Sequence, residues 1–189
     1  MDNSVEVISV TTTAIDVAAY IRTRVRADMW SLQKLTYLSQ AWSLGINGRP
    51  LFAETIEAWR DGPVVRSLYR KDRHEFVPAY AGTLSREDTA LIDAVLTQYK
   101  GLSSDQLINL THQDKPWIDA RGGAPAWVAT NTAMSTGEIR KLYTARTIAG
   151  RDVPAPVTVG VAASDESVRV AADSVISRWR TALDLLATR

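Results

Sequence analysis

The sequence predicts a compact, mainly α domain of six to seven helices, accompanied by a small β-hairpin or short strands. Three observations lead there. Apolar residues recur at three- and four-residue spacing along most of the chain. Thr13, Ser85, Ser103 and Ser135 each stand just ahead of such a run, where a helix needs side-chain acceptors for its free N–H groups. Hydrophobic residues make up 46% of the 189, with 6 Trp, 6 Tyr and 2 Phe. That is enough for a real core in one domain and too much for wholesale disorder.

Residues 1–12 read as a strand-like or poorly ordered leader. From Thr13 the pattern turns helical, with Ala14, Val17, Ala18, Ile21 and Val25 on one face. A second helix spans about Ser31 to Leu44. Leu35, Leu38 and Trp42 share one face, and Lys34, Tyr37, Ala41 and Leu44 the next. A stripe that wide implies contact on two sides and places this helix near the centre of the fold. Gly45, Gly48 and Pro50 stop it. Leu51 to Trp59 lacks a clean period and reads as a short strand or extended crossing. Gly62-Pro63 is expected to open the next helix, since a proline at the first helical position lacks only an N–H that would be unpaired there anyway.

Residues 74–84 are a loop. Ser85 with Asp88 caps a helix carrying Leu91, Ile92, Val95, Leu96 and Tyr99, which ends near Gly101. Ser103 with Gln106, and Ser135 with Glu138, have capping-box spacing ahead of two further helices. Between those two, Lys115-Pro116-Trp117 leads into an irregular stretch through Gly122, Gly123 and Pro125. The domain so defined covers 13–148. Gly150, Pro154, Pro156 and Gly160 mark 149–163 as a linker. Beyond it, 164–189 reads as a C-terminal amphipathic helix. Its apolar seam of Val168, Ala172, Val175, Trp179, Ala182 and Leu186 alternates by four and three.

Composition removes several classes of function. There is no cysteine, so disulfides, thiolate metal sites and cysteine nucleophiles are excluded. Only two histidines, His74 and His112, are present, too few for a His-rich metal site. No metal or other cofactor is expected. A net charge of +1 supplies no global field for nucleic acid or an anionic membrane. The N-terminus lacks a basic start and an apolar block, and no apolar run approaches the ~20 residues that span a bilayer. A cytoplasmic protein is the expectation.

Four motifs occur in order: Leu32-Gln33-Lys34-Leu35-Thr36-Tyr37-Leu38-Ser39-Gln40-Ala41-Trp42, with Gly48-Arg49-Pro50-Leu51-Phe52 after it; Ala58-Trp59-Arg60-Asp61-Gly62-Pro63-Val64-Val65; Leu110-Thr111-His112-Gln113-Asp114-Lys115-Pro116-Trp117; and the closing run Ser135 to Tyr143. Together they resemble the Panacea domain, formerly described as phage-associated proteins of unknown function, over about residues 13–145. One departure stands out: the family often carries two adjacent tyrosines in the first motif, and here Tyr37 is followed by Leu38. The resemblance implies an antitoxin of a toxin–antitoxin pair. Such a protein neutralises a cognate protein toxin from an adjacent gene by direct contact, as a hetero-oligomer with it or as a homo-oligomer. It also implies, as the alternative, an adaptor that delivers the toxin to a cellular protease or unfoldase.

Each candidate residue carries a structural reading beside the functional one. Gly62 and Pro63 read first as a tight strand-to-helix turn, and second as an exposed helix N-terminus receiving an acidic group of a partner. Trp59 and Trp117 are core aromatics or interface anchors. Arg66, Arg70 and Arg73 form a basic stripe, either a solvated face or a match for an acidic partner. DNA contact is disfavoured, because no helix-turn-helix signature accompanies the stripe. Val175, Trp179 and Leu186 form a seam that docks on the domain or on the partner. His112, beside Asp114 and Lys115, is the one residue that suggests acid–base catalysis. It lacks a nucleophile motif or a second catalytic partner, so a non-enzyme is expected.

Overall fold

The computed structural model describes residues 12–155. The leader 1–11, the end of the linker and the C-terminal seam, with Val175, Trp179 and Leu186, lie outside the described residues. The described residues form seven α-helices and a small antiparallel sheet. In chain order they are α1 (Ala14–Arg24), α2 (Met29–Trp42), a π-helical turn (Ser43–Asn47), β1 (Ile56–Trp59), β2 (Gly62–Val65), α3 (Arg66–His74), α4 (Arg86–Tyr99), α5 (Ser104–Thr111), α6 (Lys115–Arg121), β3 (Thr132–Ala133) and α7 (Thr136–Ile148). The fold is mainly α with short strands, as the periodicity and caps predict.

The helix starts follow from the caps. Thr13 and Asp16 form a full capping box, as do Ser103 and Gln106. Ser85 accepts from the Asp88 N–H. At Ser135 the cap is one-sided: its hydroxyl accepts from the Glu138 N–H, and no reciprocal bond accompanies it.

The central helix is α2, buried from Leu32 to Trp42 on every side. It packs against α1, α3, α4, α5, α7 and β2. Its two buried glutamines are committed to neighbouring backbone. The Gln40 amide accepts from the Leu51 N–H at 2.6 Å and donates to the Phe52 carbonyl at 2.9 Å. The Gln33 amide accepts from the Val65 N–H at 2.9 Å. Buried amides of this kind stabilise only because each is paired.

The sheet has strand order β2-β1-β3, all antiparallel. Here the sequence expectation needs correction. Gly62-Pro63 does not open a helix; it begins β2, and α3 starts only at Arg66. Gly62 pairs with Trp59 across the two-residue turn Arg60-Asp61, with φ +97°. All four residues of β2 are buried. Val64 and Val65 gain more from burial in a strand seated on α2 than Pro63 gains from a helix start, and the Gln33 amide supplies the hydrogen bonds that an outer strand would otherwise lack. Lys115 to Arg121, to which the sequence reading gave no element, forms a helix ahead of the irregular stretch; Gly122 ends it in the left-handed conformation at φ 59°.

The π-helical turn that follows α2 packs against α7. Gly45 makes this approach feasible. A Cβ there would lie 2.7 Å from the Tyr143 carbonyl carbon and 2.7 Å from its Cβ. Backbone cannot swing aside as a side-chain tip can. We expect Gly45→Ala to destabilise the fold by the upper part of about 1–3 kcal/mol, outweighing the helix propensity that alanine adds. A urea midpoint equal to or above that of the unaltered protein would refute this.

Candidate partner-binding face

The face around the β1–β2 hairpin brings together Trp59, Arg66 and Trp117. Trp59 ends β1, half-buried. Its indole N–H donates to Glu57 at 2.7 Å, and its ring lies 4.8 Å from Tyr69 of α3. Tyr69 continues the row to Trp30 at the start of α2, with centroids 6.0 Å apart. Arg66 sits 5.6 Å over the Trp59 ring and pairs with Glu57 at 2.7 Å. Burial opposes it, yet the hydrogen bonds from Arg66 and Trp59 hold the Glu57 carboxyl below the usual carboxylate range. Rings and guanidinium are thus held by contacts within the fold.

Trp117 on α6 joins the same face. Its indole N–H donates to the Trp59 carbonyl at 3.0 Å, and Arg121 lies 5.2 Å over its ring. His112, the C-cap of α5, stacks on Trp117 at 4.0 Å and 12°. Both indole N–H groups are therefore satisfied, as the core reading expects, while both rings remain partly accessible. Arg70 is exposed on α3 and has no ion-pair partner among the described residues.

Beneath this ledge lies a polar floor that the sequence did not single out. Lys34 is fully buried, and its ammonium donates to the Pro63 carbonyl at 3.0 Å. Gly62 permits this arrangement. A Cβ there would stand 2.7 Å from Lys34 Cε and 2.9 Å from Thr111 Oγ1. Gly62 and Pro63 thus sit under the face and not on it, and the reading of them as an exposed helix N-terminus is overturned. Burial pushes the Lys34 ammonium down to about 7, with Asp61 opposing. Burial also lowers His112, reinforced by Lys34 and Arg121 and opposed by Asp61. The His112 Nε2 is shielded from solvent and has no partner among the described residues.

Asp114 stands where a helix N-cap would, yet its carboxylate turns away from α6. Tyr37 and Tyr143 both donate to its Oδ2 at 2.7 Å, and Arg146 donates to its Oδ1 at 2.9 Å. Burial raises both tyrosines well above their usual range. This network ties α2, α6 and α7 together. No three of His, Asp and Glu gather as metal ligands among the described residues, and no described helix is long and apolar enough to cross a membrane.

The described residues thus form a mainly α domain that carries an aromatic and arginine face over a hydrogen-bonded polar core. Residues 32–118, which run from α2 into α6, match the family model described as antitoxin SocA-like, Panacea domain. That span contains the motifs from Leu32 to Trp117; the closing run from Ser135 lies beyond it. No curated protein and no solved structure matches the chain significantly.

Proposed function

We propose that this protein neutralises a cognate protein toxin, encoded by an adjacent gene, by binding it directly in the cytoplasm. The supporting observations are the match to the antitoxin SocA-like family model over residues 32–118 and the face around Trp59. Trp, Tyr and Arg are the residue types that dominate binding energy at interfaces, and side chains already fixed lose little entropy on association. Trp59 carries the reading: its ring is half-buried, its indole N–H is already paired, and Arg66 and Tyr69 bracket it. In the same reading, the seam of Val175, Trp179 and Leu186 offers the toxin a second apolar contact.

The test is co-expression with the product of the adjacent reading frame. The unaltered protein should rescue growth and co-purify with that product. Trp59→Ala should weaken the complex by about 2 kcal/mol or more, roughly 30-fold, with the helical circular dichroism retained. Undiminished affinity in a folded Trp59→Ala variant would remove Trp59 from the contact. A fall in toxin level when the antitoxin is present would instead favour the protease-adaptor form of the same function. A catalytic role for His112 has less support, because its Nε2 is closed to solvent and its ring is pinned against Trp117.

A further inference from the structure

The end of α3 carries a residue that the fold does not need in its present form. Phe76 follows the C-cap Glu75 and adopts φ +66°, the left-handed conformation that ends helices and suits glycine. A bulky side chain is strained there. The ring is also 80% exposed, so it contributes nothing to the core. Glycine would make the same turn and would deliver Val77 to the core equally well. Two penalties thus fall on one aromatic ring that lies outside the core.

The surroundings specify what the ring would meet. Arg66, Tyr69, Arg70 and Arg73 recur at helical spacing along α3. Arg73 lies 5.8 Å over the Tyr69 ring and donates to its hydroxyl at 2.6 Å, so the aromatic row of Trp59 and Tyr69 continues toward the helix end. The acidic groups on and beside this helix are already neutralised: Asp72 by Arg22 at 2.7 Å, Glu75 by Lys71 at 2.5 Å, and Glu57 by Arg66 at 2.7 Å. Arg70 and Arg73 have no acidic partner among the described residues. The face is therefore net positive, with an exposed ring at its end.

Resting on the partner-binding reading above, we infer that α3 with the turn that follows it, Arg66 to Phe76, docks an acidic protein surface whose apolar recess receives the Phe76 ring. A protein is favoured over nucleic acid because the chain as a whole is balanced at +1.

Two variants separate this role from folding. Phe76→Gly relieves the strained backbone and removes the ring; its Tm should rise by about 2–4 °C, while the Kd for the purified product of the adjacent reading frame should rise at least about tenfold. Phe76→Ala keeps the strain and removes the ring; it should lose the same affinity with an unchanged Tm. Arg70→Glu with Arg73→Glu should weaken the complex further. The affinity of the unaltered protein should fall between 50 and 500 mM salt, as expected for exposed opposite charges with a screening length of about 10 Å at 0.1 M. Unaltered affinity in both Phe76 variants would overturn the inference while leaving the antitoxin reading standing. Binding of a nonspecific DNA duplex as tight as that of the neighbouring gene product would also overturn it. Failure of the unaltered protein to bind that product at all would defeat the antitoxin reading, and this inference with it.

Discussion

Asp114→Ala is expected to cost about 3–5 kcal/mol, the penalty for removing one member of a buried, hydrogen-bonded ionic cluster. The carboxylate accepts both tyrosine hydroxyls and one arm of Arg146. Without it, the Tyr37 and Tyr143 hydroxyls lose their acceptor in a fully buried position, and Arg146 loses its partner with its side chain only 24% exposed. Small domains are stable by only about 5–15 kcal/mol, so this one change removes a large share of the total. Urea unfolding should show a much lower midpoint, with the helical signal intact only at low denaturant. The loss should not stay local. Asp114 joins the α5–α6 junction to α2 and α7, so the whole described fold should unfold as one transition. A loss below about 1 kcal/mol would mean that the tyrosines and Arg146 find water or other acceptors, and that the cluster is not what holds these helices together. Asp114→Asn tests the charge: it keeps the shape and an acceptor oxygen, and should fall between the two.

This cluster also shows where sequence reading stops. Asp114 has the position of a helix cap, and nothing local distinguishes a cap from a carboxylate turned inward to Tyr37 and Tyr143. Helices whose signals are local were legible. Thr13, Ser85, Ser103 and Ser135 each cap one, and the broad stripe of α2 announced a helix contacted on more than one side. The hairpin was legible in half. Irregular spacing marked β1, but Pro63 pointed to a helix because the compensation for a strand there, the Gln33 amide on Val65, comes from 32 positions away. The short α6 carries too few residues to show a period, although Pro116 and Gly122 bracket it as a helix start and stop. Trp59 and Trp117 could be named as anchors, but not as neighbours. Trp30 and Phe76 carried no signal at all: one depends on Tyr69 packing against it, the other on a backbone angle.

Lys34 supplies the other large expected effect, a stability that rises on the alkaline side of neutrality. The group titrates at about 7 in the folded protein, against 10.5 for a free lysine side chain, because burial disfavours the ammonium and Asp61 only partly offsets this. Below pH 7 both folded and unfolded chains carry the proton, and the full penalty of burying the charge is present. Between 7 and 10.5 the unfolded chain binds a proton that the folded chain has released, so stability rises with pH. The limiting slope is about 1.4 kcal/mol per pH unit. His112, also lowered by burial, acts in the same direction on the acid side of its ordinary value. Tyr37 and Tyr143 act oppositely above about pH 10: their folded forms hold protons that the unfolded chain loses, so stability declines again. The optimum should therefore lie near pH 9–10, above the ~5–8 usual for proteins. Urea midpoints at fixed ionic strength from pH 6 to 10.5 measure it, and Lys34→Met should flatten the rise between 7 and 10 whatever it does to the absolute stability. An equal slope in both proteins would show that Lys34 keeps its proton when folded. A rise that vanishes with Lys34 would mean that the hairpin bearing Trp59 rests on an amine held neutral, whose protonation weakens the support of that hairpin.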